Sequence, residues 1–154
     1  MPKKPSNNTT PTDKPKNAKP VTPSPKIIIT SKCKTVSSKS TLTYNIAVDE
    51  KGKPYIRVVS NTGGGFFSNE WVLIDDINNT LKSIPKDQPV SSIHLFPLFK
   101  GKSVNTPGYL LAVLINENVL IEHAENKRQY AFSGTSKLME KIKVNVHSWG
   151  QVFP

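Results

Sequence analysis

The sequence predicts an α+β protein in which a disordered basic tail, residues 1–26, precedes one small domain, residues 27–154. Three observations lead to this prediction: the composition changes at Ile27, short segments alternate in hydropathy with period two, and the second half of the domain resembles the first. We expect a tandem repeat of two ββββα units, at about 27–85 and 90–148. Each unit would hold one antiparallel sheet and one C-terminal helix, related by a pseudo-twofold axis.

The predicted tail consists almost entirely of Pro, Lys, Thr, Ser and Asn. It carries six lysines, one aspartate and no aromatic residue. Such a segment buries too little apolar surface to offset the conformational entropy lost on ordering, so we expect it to be disordered. It would act either as a solubilising linker or as an electrostatic arm that holds a polyanion.

The first unit is predicted from apolar and alternating segments separated by turn residues. Strands are expected at 27–29, 41–48, 54–61 and 66–67, followed by a helix from about Trp71 to Ser83. The segment between the second and third strands contains Gly52, which suits a turn that requires positive φ.

The second unit is predicted to repeat this order. Strands are expected at 92–100, 108–114, 119–124 and 129–132. A helix is expected to follow, capped by Ser133, Thr135 or Ser136 and ending at about Val144. When the chain is compared with itself at an offset of 65 residues, nine of the 34 aligned positions from Tyr44 to Ile77 are identical. About two identities would arise by chance at ordinary residue frequencies.

Charge and the absence of catalytic motifs favour a binding function. The chain has 21 Lys and Arg against 11 Asp and Glu, a formal charge of +10, which favours a polyanionic partner such as nucleic acid. Cys33 is the only cysteine, the three histidines lack metal-ligand spacing, and Gly63–Gly65 lacks the Gly-Lys-Ser/Thr ending of a phosphate-binding loop. We therefore expect a non-enzymatic protein without metal or cofactor. It would be cytoplasmic (nucleoid-associated, or nuclear if eukaryotic), and no membrane partner is expected.

Cations and aromatics on the predicted strands and turns are the candidate binding residues. Single-stranded nucleic acid requires cations along its backbone and flat side chains on which bases stack. Alternation places Tyr55 and Arg57 on one face of the third strand. The complete candidate set is Lys32, Lys34, Lys51, Lys53, Tyr55, Arg57, Lys100, Lys102, Lys127, Arg128 and Tyr130.

A ββββα unit used twice resembles the single-strand-binding superfamily that includes the Whirly, purine-rich-element-binding (PUR) and transcriptional positive-cofactor-four families. The local motif is Phe66-Phe67-Ser68-Asn69-Glu70-Trp71, with Ser68 or Asn69 as the expected helix cap. It is similar to a Ser-x-Glu-x-Trp helix start, although Trp71 is one residue closer. The resemblance implies a pseudo-twofold domain whose sheets present nucleic acid and whose helices pack the two units together. We expect the chain to bind single-stranded DNA or RNA, as a transcription, replication or mobile-element accessory.

The residues leave the function open between two classes, and they also suggest a homodimer. The chain is either a nucleic-acid-binding protein or a protein-interaction module whose basic tail engages an acidic partner. The predicted sheet face of the second unit carries Leu110, Leu114, Leu120 and Glu122 rather than cations, and would serve a homodimer.

Overall fold

The computed structural model describes residues 25–101, 103–126 and 129–150, with side chains to residue 146. Nearly all of the predicted tail, together with Lys102, Lys127 and Arg128, lies outside the described residues. Within them the chain is α+β, with a four-stranded antiparallel sheet, a two-stranded sheet and four α-helices. None of these helices, over the described ranges, combines the length and apolar character needed to span a bilayer.

The large sheet is an antiparallel meander in the order β1–β2–β3–β4. Its strands are β1 (Lys26–Lys34), β2 (Thr41–Val48), β3 (Pro54–Asn61) and β4 (Val72–Leu73). The β2–β3 hairpin turns at Gly52, whose φ of 81° confirms the expected positive-φ turn. Register shifts interrupt the β1–β2 and β2–β3 ladders, as expected where one strand holds an extra residue.

One face of this sheet supplies the core. Leu42, Tyr44, Ile46, Ile56 and Val58 alternate along β2 and β3 and are all buried. Because strand side chains point alternately to opposite faces, the intervening residues lie on the other face of the sheet.

Helices cover the core face. They are α1 (Ile74–Lys82), α2 (Ser92–Leu95), α3 (Thr106–Asn116) and α4 (Ser136–Gly150), with a 3-10 turn at Phe96–Leu98. α3 contacts β1, β3 and α2, while α4 contacts β1. Residues 110–114 of α3 are all buried, so α3 is the central helix of this layer.

The first half of the domain keeps the predicted order of four strands and a helix, but the bounds differ. Phe66 and Phe67 are not a strand; the fourth strand is Val72–Leu73, and it contains residues that were assigned to the helix. α1 therefore begins at Ile74, with Leu73 rather than Ser68 or Asn69 at the cap position.

The second half does not repeat this plan, and the tandem ββββα repeat is not confirmed. The predicted strand at 92–100 is α2 and the 3-10 turn as far as Leu98, and the predicted strand at 108–114 lies within α3. Only β5 (Leu120–Glu122) and β6 (Tyr130–Phe132) remain as strands before α4 in the described residues. Tyr44 and Tyr109, identical at the 65-residue offset, lie on a strand and on a helix respectively.

The misassigned segment is a continuous apolar run, which periodicity alone does not assign to strand or helix. Leu and Ala favour helix, and Pro107 lies in the first turn of α3, where proline is tolerated.

The predicted dimerisation face of the second unit is not a surface of the structure. Leu110, Leu114 and Leu120 are buried in the core, and only Glu122 is exposed.

A buried carboxylate links this helical layer to the sheet. Glu117, which follows α3, is 4% exposed and accepts hydrogen bonds from the Tyr44 hydroxyl and, at 3.0 Å, from Lys141 Nζ of α4. Burial, followed by the hydrogen bond to Glu117, raises the pKa of Tyr44. Burial and then the Glu117 charge raise the pKa of the nearby Cys33 thiol to about 11.

Candidate nucleic-acid interface

The face of the large sheet opposite the core holds the candidate interface, which we call the open face. The strand register sets Thr30 beside Asn45 and Asn45 beside Arg57, and it sets Lys32 beside Thr43. The open face comprises Thr30, Lys32, Lys34, Thr43, Asn45, Tyr55, Arg57 and Trp71.

Arg57 lies at the centre of this face and is held on two sides. Its guanidinium carbon is 4.2 Å from the ring centroid of Trp71. Its Nε donates to Asn45 Oδ1 at 3.3 Å, and Asn45 Nδ2 donates to Thr30 Oγ1 at 3.0 Å. These contacts orient the guanidinium plane, and no carboxylate pairs with it among the residues that the structure describes.

Tyr55 extends the aromatic surface next to Trp71. The two ring centroids are 6.5 Å apart in an edge-to-face arrangement, with an interplanar angle of 74°. The Tyr55 hydroxyl donates to Asp49 Oδ2 at 3.1 Å, and Asp49 Oδ1 accepts from the N–H groups of Lys51 and Lys53, both at 2.9 Å. Burial, then Asp49 and more weakly Asp76, raise the pKa of Tyr55, so its hydroxyl stays protonated at neutral pH and can donate to Asp49.

Beyond the edge of β4, a groove of about 460 Å³ continues from the open face; we call it the Trp71 groove. The segment around Lys100 forms the wall beyond Trp71, although the sequence analysis assigned this segment to the second unit. The residues that line it are Tyr55, Glu70, Trp71, Val72, Leu73, Asp76, Leu98 and Lys100.

Glu70 fixes this wall. Its carboxylate accepts hydrogen bonds from the N–H of Lys100 at 2.8 Å, the N–H of Gly101 at 2.7 Å and the Ser68 hydroxyl at 2.7 Å. Partial burial opposes ionisation, but these donors outweigh it and lower the pKa of Glu70. The Glu70 carboxylate therefore orders the loop that brings Lys100 to the groove.

The predicted lysines of the first half differ in availability. Lys32 and Lys34 are exposed on β1 and, by register with Thr43 and Thr41, belong to the open face. Lys51 is exposed in the hairpin, whereas Lys53 Nζ pairs with an Asp75 oxygen at 3.0 Å. The structure thus brings Lys32, Lys34, Tyr55, Arg57 and Lys100 to one surface and leaves Lys53 engaged at its margin.

The remaining predicted residues do not join this surface. Tyr130 is on β6 of the separate two-stranded sheet, where its backbone bridges Val90 and its partly buried ring packs against the core. Lys102, Lys127 and Arg128 lie outside the described residues.

Three contributors, Trp71, Asn45 and Thr30, were not predicted. Trp71 was assigned to a helix start, although the succession of half-exposed Trp71, buried Val72 and half-exposed Leu73 has the period of a strand. Asn45 and Thr30 give no signal of their own, because their role depends on strand register.

The described part of the chain contains no group of three or more His, Cys, Asp or Glu side chains that could hold a metal ion.

Comparison with protein-family models, with curated proteins and with solved structures found no match. The likeness to the single-strand-binding superfamily therefore remains a prediction.

Proposed function

We propose that this protein is a non-enzymatic binder of single-stranded nucleic acid and that the open face is its interface. The observation that carries the proposal is the stack of the Arg57 guanidinium on Trp71, with Tyr55 beside it and the exposed Lys32 and Lys34 on the same face. Aromatic rings and guanidinium planes are the surfaces on which unpaired bases stack.

The arrangement favours a single strand over a duplex. A duplex hides the faces of its bases, whereas a single strand can place them on Trp71, Tyr55 and Arg57. Each base stacked on an aromatic ring contributes about 1–3 kcal/mol, largely without regard to base identity. Because Arg57 is fixed by Asn45 and Trp71, little side-chain entropy is lost when it engages a base or a phosphate.

Cations flank the stacking residues on both sides. Lys32 and Lys34 lie on β1, two strands from Arg57, and Lys100 lies beyond β4. Since neighbouring strands are about 4.8 Å apart, β1 and β4 are separated by about 14 Å, which suits a strand that crosses the sheet with phosphates at either end. The basic tail, with its six lysines, would add affinity that does not depend on sequence.

The order of four strands and one helix in the first half agrees with the unit of the superfamily that the sequence resembles. This agreement supports the proposal through architecture only, because fold does not imply function.

Fluorescence anisotropy with labelled single-stranded and duplex oligonucleotides, at two salt concentrations, tests the proposal. We expect tighter binding of the single strand. Replacing Lys32 and Lys34 together by Ala should reduce the slope of log K against log salt by about 1.4 units, about 0.7 for each phosphate contact. The matched control replaces Lys82 and Lys86, two exposed lysines around a different groove beside β6.

The proposal fails if the control pair lowers the slope as much as the β1 pair. It also fails if the chain prefers duplex, or if binding to a protein partner that tolerates salt is the only interaction detected.

A further inference from the structure

The Trp71 groove contains a carboxylate, that of Asp76 in the first turn of α1, which has no hydrogen-bond or ion-pair partner among the described residues. Of the three acidic side chains nearby, Glu70 holds the amides of Lys100 and Gly101, and Asp75 pairs with Lys53. Asp76 also lines the groove, is exposed, and makes no hydrogen bond or ion pair within the described residues. A negative charge in an interface for a polyanion weakens binding, unless the carboxylate accepts hydrogen bonds from donor groups of the bound molecule.

The other walls of the groove suit a nucleotide. Trp71 and Leu98 provide flat and apolar surfaces, and the groove adjoins the open face along Tyr55. Lys100 supplies a cation in the same groove, so that base and phosphate can be held together.

We propose that the Trp71 groove is a subsite for one guanine base of the bound strand, with Asp76 as the acceptor that reads it; this inference rests on the function proposed above. The base contacts Trp71 and Leu98, and its Watson–Crick edge faces Asp76. Lys100 neutralises the adjacent phosphate.

The selection follows from the donors that each base presents. Guanine carries N1–H and the N2 amino group side by side, so a carboxylate accepts both hydrogen bonds at once. Cytosine and adenine offer an amino group next to a ring nitrogen that is itself an acceptor and repels the second oxygen. Thymine and uracil place a carbonyl on each side of their only N–H. A good bidentate contact discriminates by about 1–3 kcal/mol, equivalent to at least about fivefold in affinity.

The test compares oligothymidylate of about eight residues, a length within the range that single-strand-binding OB-folds cover, with the same oligonucleotide carrying one central guanine, inosine or adenine. For the full chain, we expect the guanine oligonucleotide to bind at least about fivefold more tightly than oligothymidylate. Inosine, which lacks the amino group, should fall between guanine and thymine. Asp76→Ala should abolish the guanine preference without weakening oligothymidylate binding. The matched control, Asp75→Ala on the neighbouring residue, should keep the preference.

The outcomes separate the two proposals. If the wild-type chain binds oligothymidylate and the guanine oligonucleotide equally, or if Asp76→Ala keeps the preference, the subsite is refuted while single-strand binding stands. If oligothymidylate and the guanine oligonucleotide both fail to bind, the proposed function and the subsite are refuted together.

Discussion

Replacing Tyr44 by Phe removes one hydroxyl from the buried network that joins β2, α3 and α4. The ring is fully buried, and Phe retains its shape and packing. Its hydroxyl donates to Glu117 and accepts from Asn116 Nδ2 at 2.8 Å. The substitution therefore isolates these two hydrogen bonds from the hydrophobic contacts of the ring.

The expected loss of stability follows from the hydrogen bonds that Glu117 and Asn116 keep after the substitution. Glu117 keeps Lys141 Nζ at 3.0 Å from both of its oxygens but loses a donor inside the core. The Asn116 side chain is exposed, so water can replace its lost partner. Because hydrogen bonds to charged groups contribute about 1.5–3 kcal/mol, we expect Tyr44→Phe to lower the free energy of unfolding by about 2 kcal/mol.

Urea denaturation of a double-mutant cycle with Glu117→Gln checks this reasoning. In the Gln background, where no buried charge depends on the hydroxyl, Tyr44→Phe should cost about 1 kcal/mol less than in the wild type. Effects that add to within about 0.3 kcal/mol would show that the Tyr44 hydroxyl does not stabilise the Glu117 carboxylate and would refute the assignment of this network.

Two further predictions concern the open face and the alkaline limit of stability. Trp71→Ala should weaken oligothymidylate binding at least fivefold, since about 1–3 kcal/mol of stacking is lost, whereas Tyr130→Ala on β6 should leave it within about twofold; anisotropy measures both. Cys33 has an ordinary pKa of 9.0 and a folded pKa of about 11. Its contribution to stability is therefore complete below pH 9.0 and is lost as the pH rises through about 11, because the unfolded chain releases the proton first. Thermal melts from pH 8 to 11 should show a shallower decline for Cys33→Ala than for the wild type, and equal slopes would contradict the shift.

The large sheet was predictable because its central strands alternate clearly. In β2, residues 42, 44, 46 and 48 are apolar and all face the core, and the Gly52 turn fixes the hairpin that follows. The same alternation correctly placed Tyr55 and Arg57 on the opposite face. Period two is a local property of the chain, so it can be read without knowing the tertiary structure.

The second half was not predictable by the same means, since its central segment is apolar at nearly every position. Residues 110–114 are buried all round, which removes the hydropathy contrast that distinguishes a strand from a helix. The identities at the 65-residue offset misled because they compare residue types and not periodicity: Ala47 and Ala112 are buried equally well on β2 and on α3.

Which cations are available was also beyond the sequence. Nothing in the sequence distinguishes Lys53 and Lys141 from the other lysines. In the structure, Lys53 pairs with Asp75 and Lys141 pairs with the buried Glu117. Replacing Lys141 would therefore test stability rather than binding. Lys100 lines the Trp71 groove beside Glu70, whose carboxylate accepts hydrogen bonds from the amides of Lys100 and Gly101, a contact across 30 residues of sequence.

The measurement that most directly tests the open face as the binding surface is an NMR titration of the full chain with oligothymidylate. We predict that the largest chemical-shift changes fall on the Trp71 Nε1–H, the Arg57 Nε–H and the backbone amides of β1 and β3. The amides of α4 should remain nearly unchanged. Shifts confined to residues 1–26, or larger on α4 than on the Arg57 and Trp71 side chains, would contradict the account.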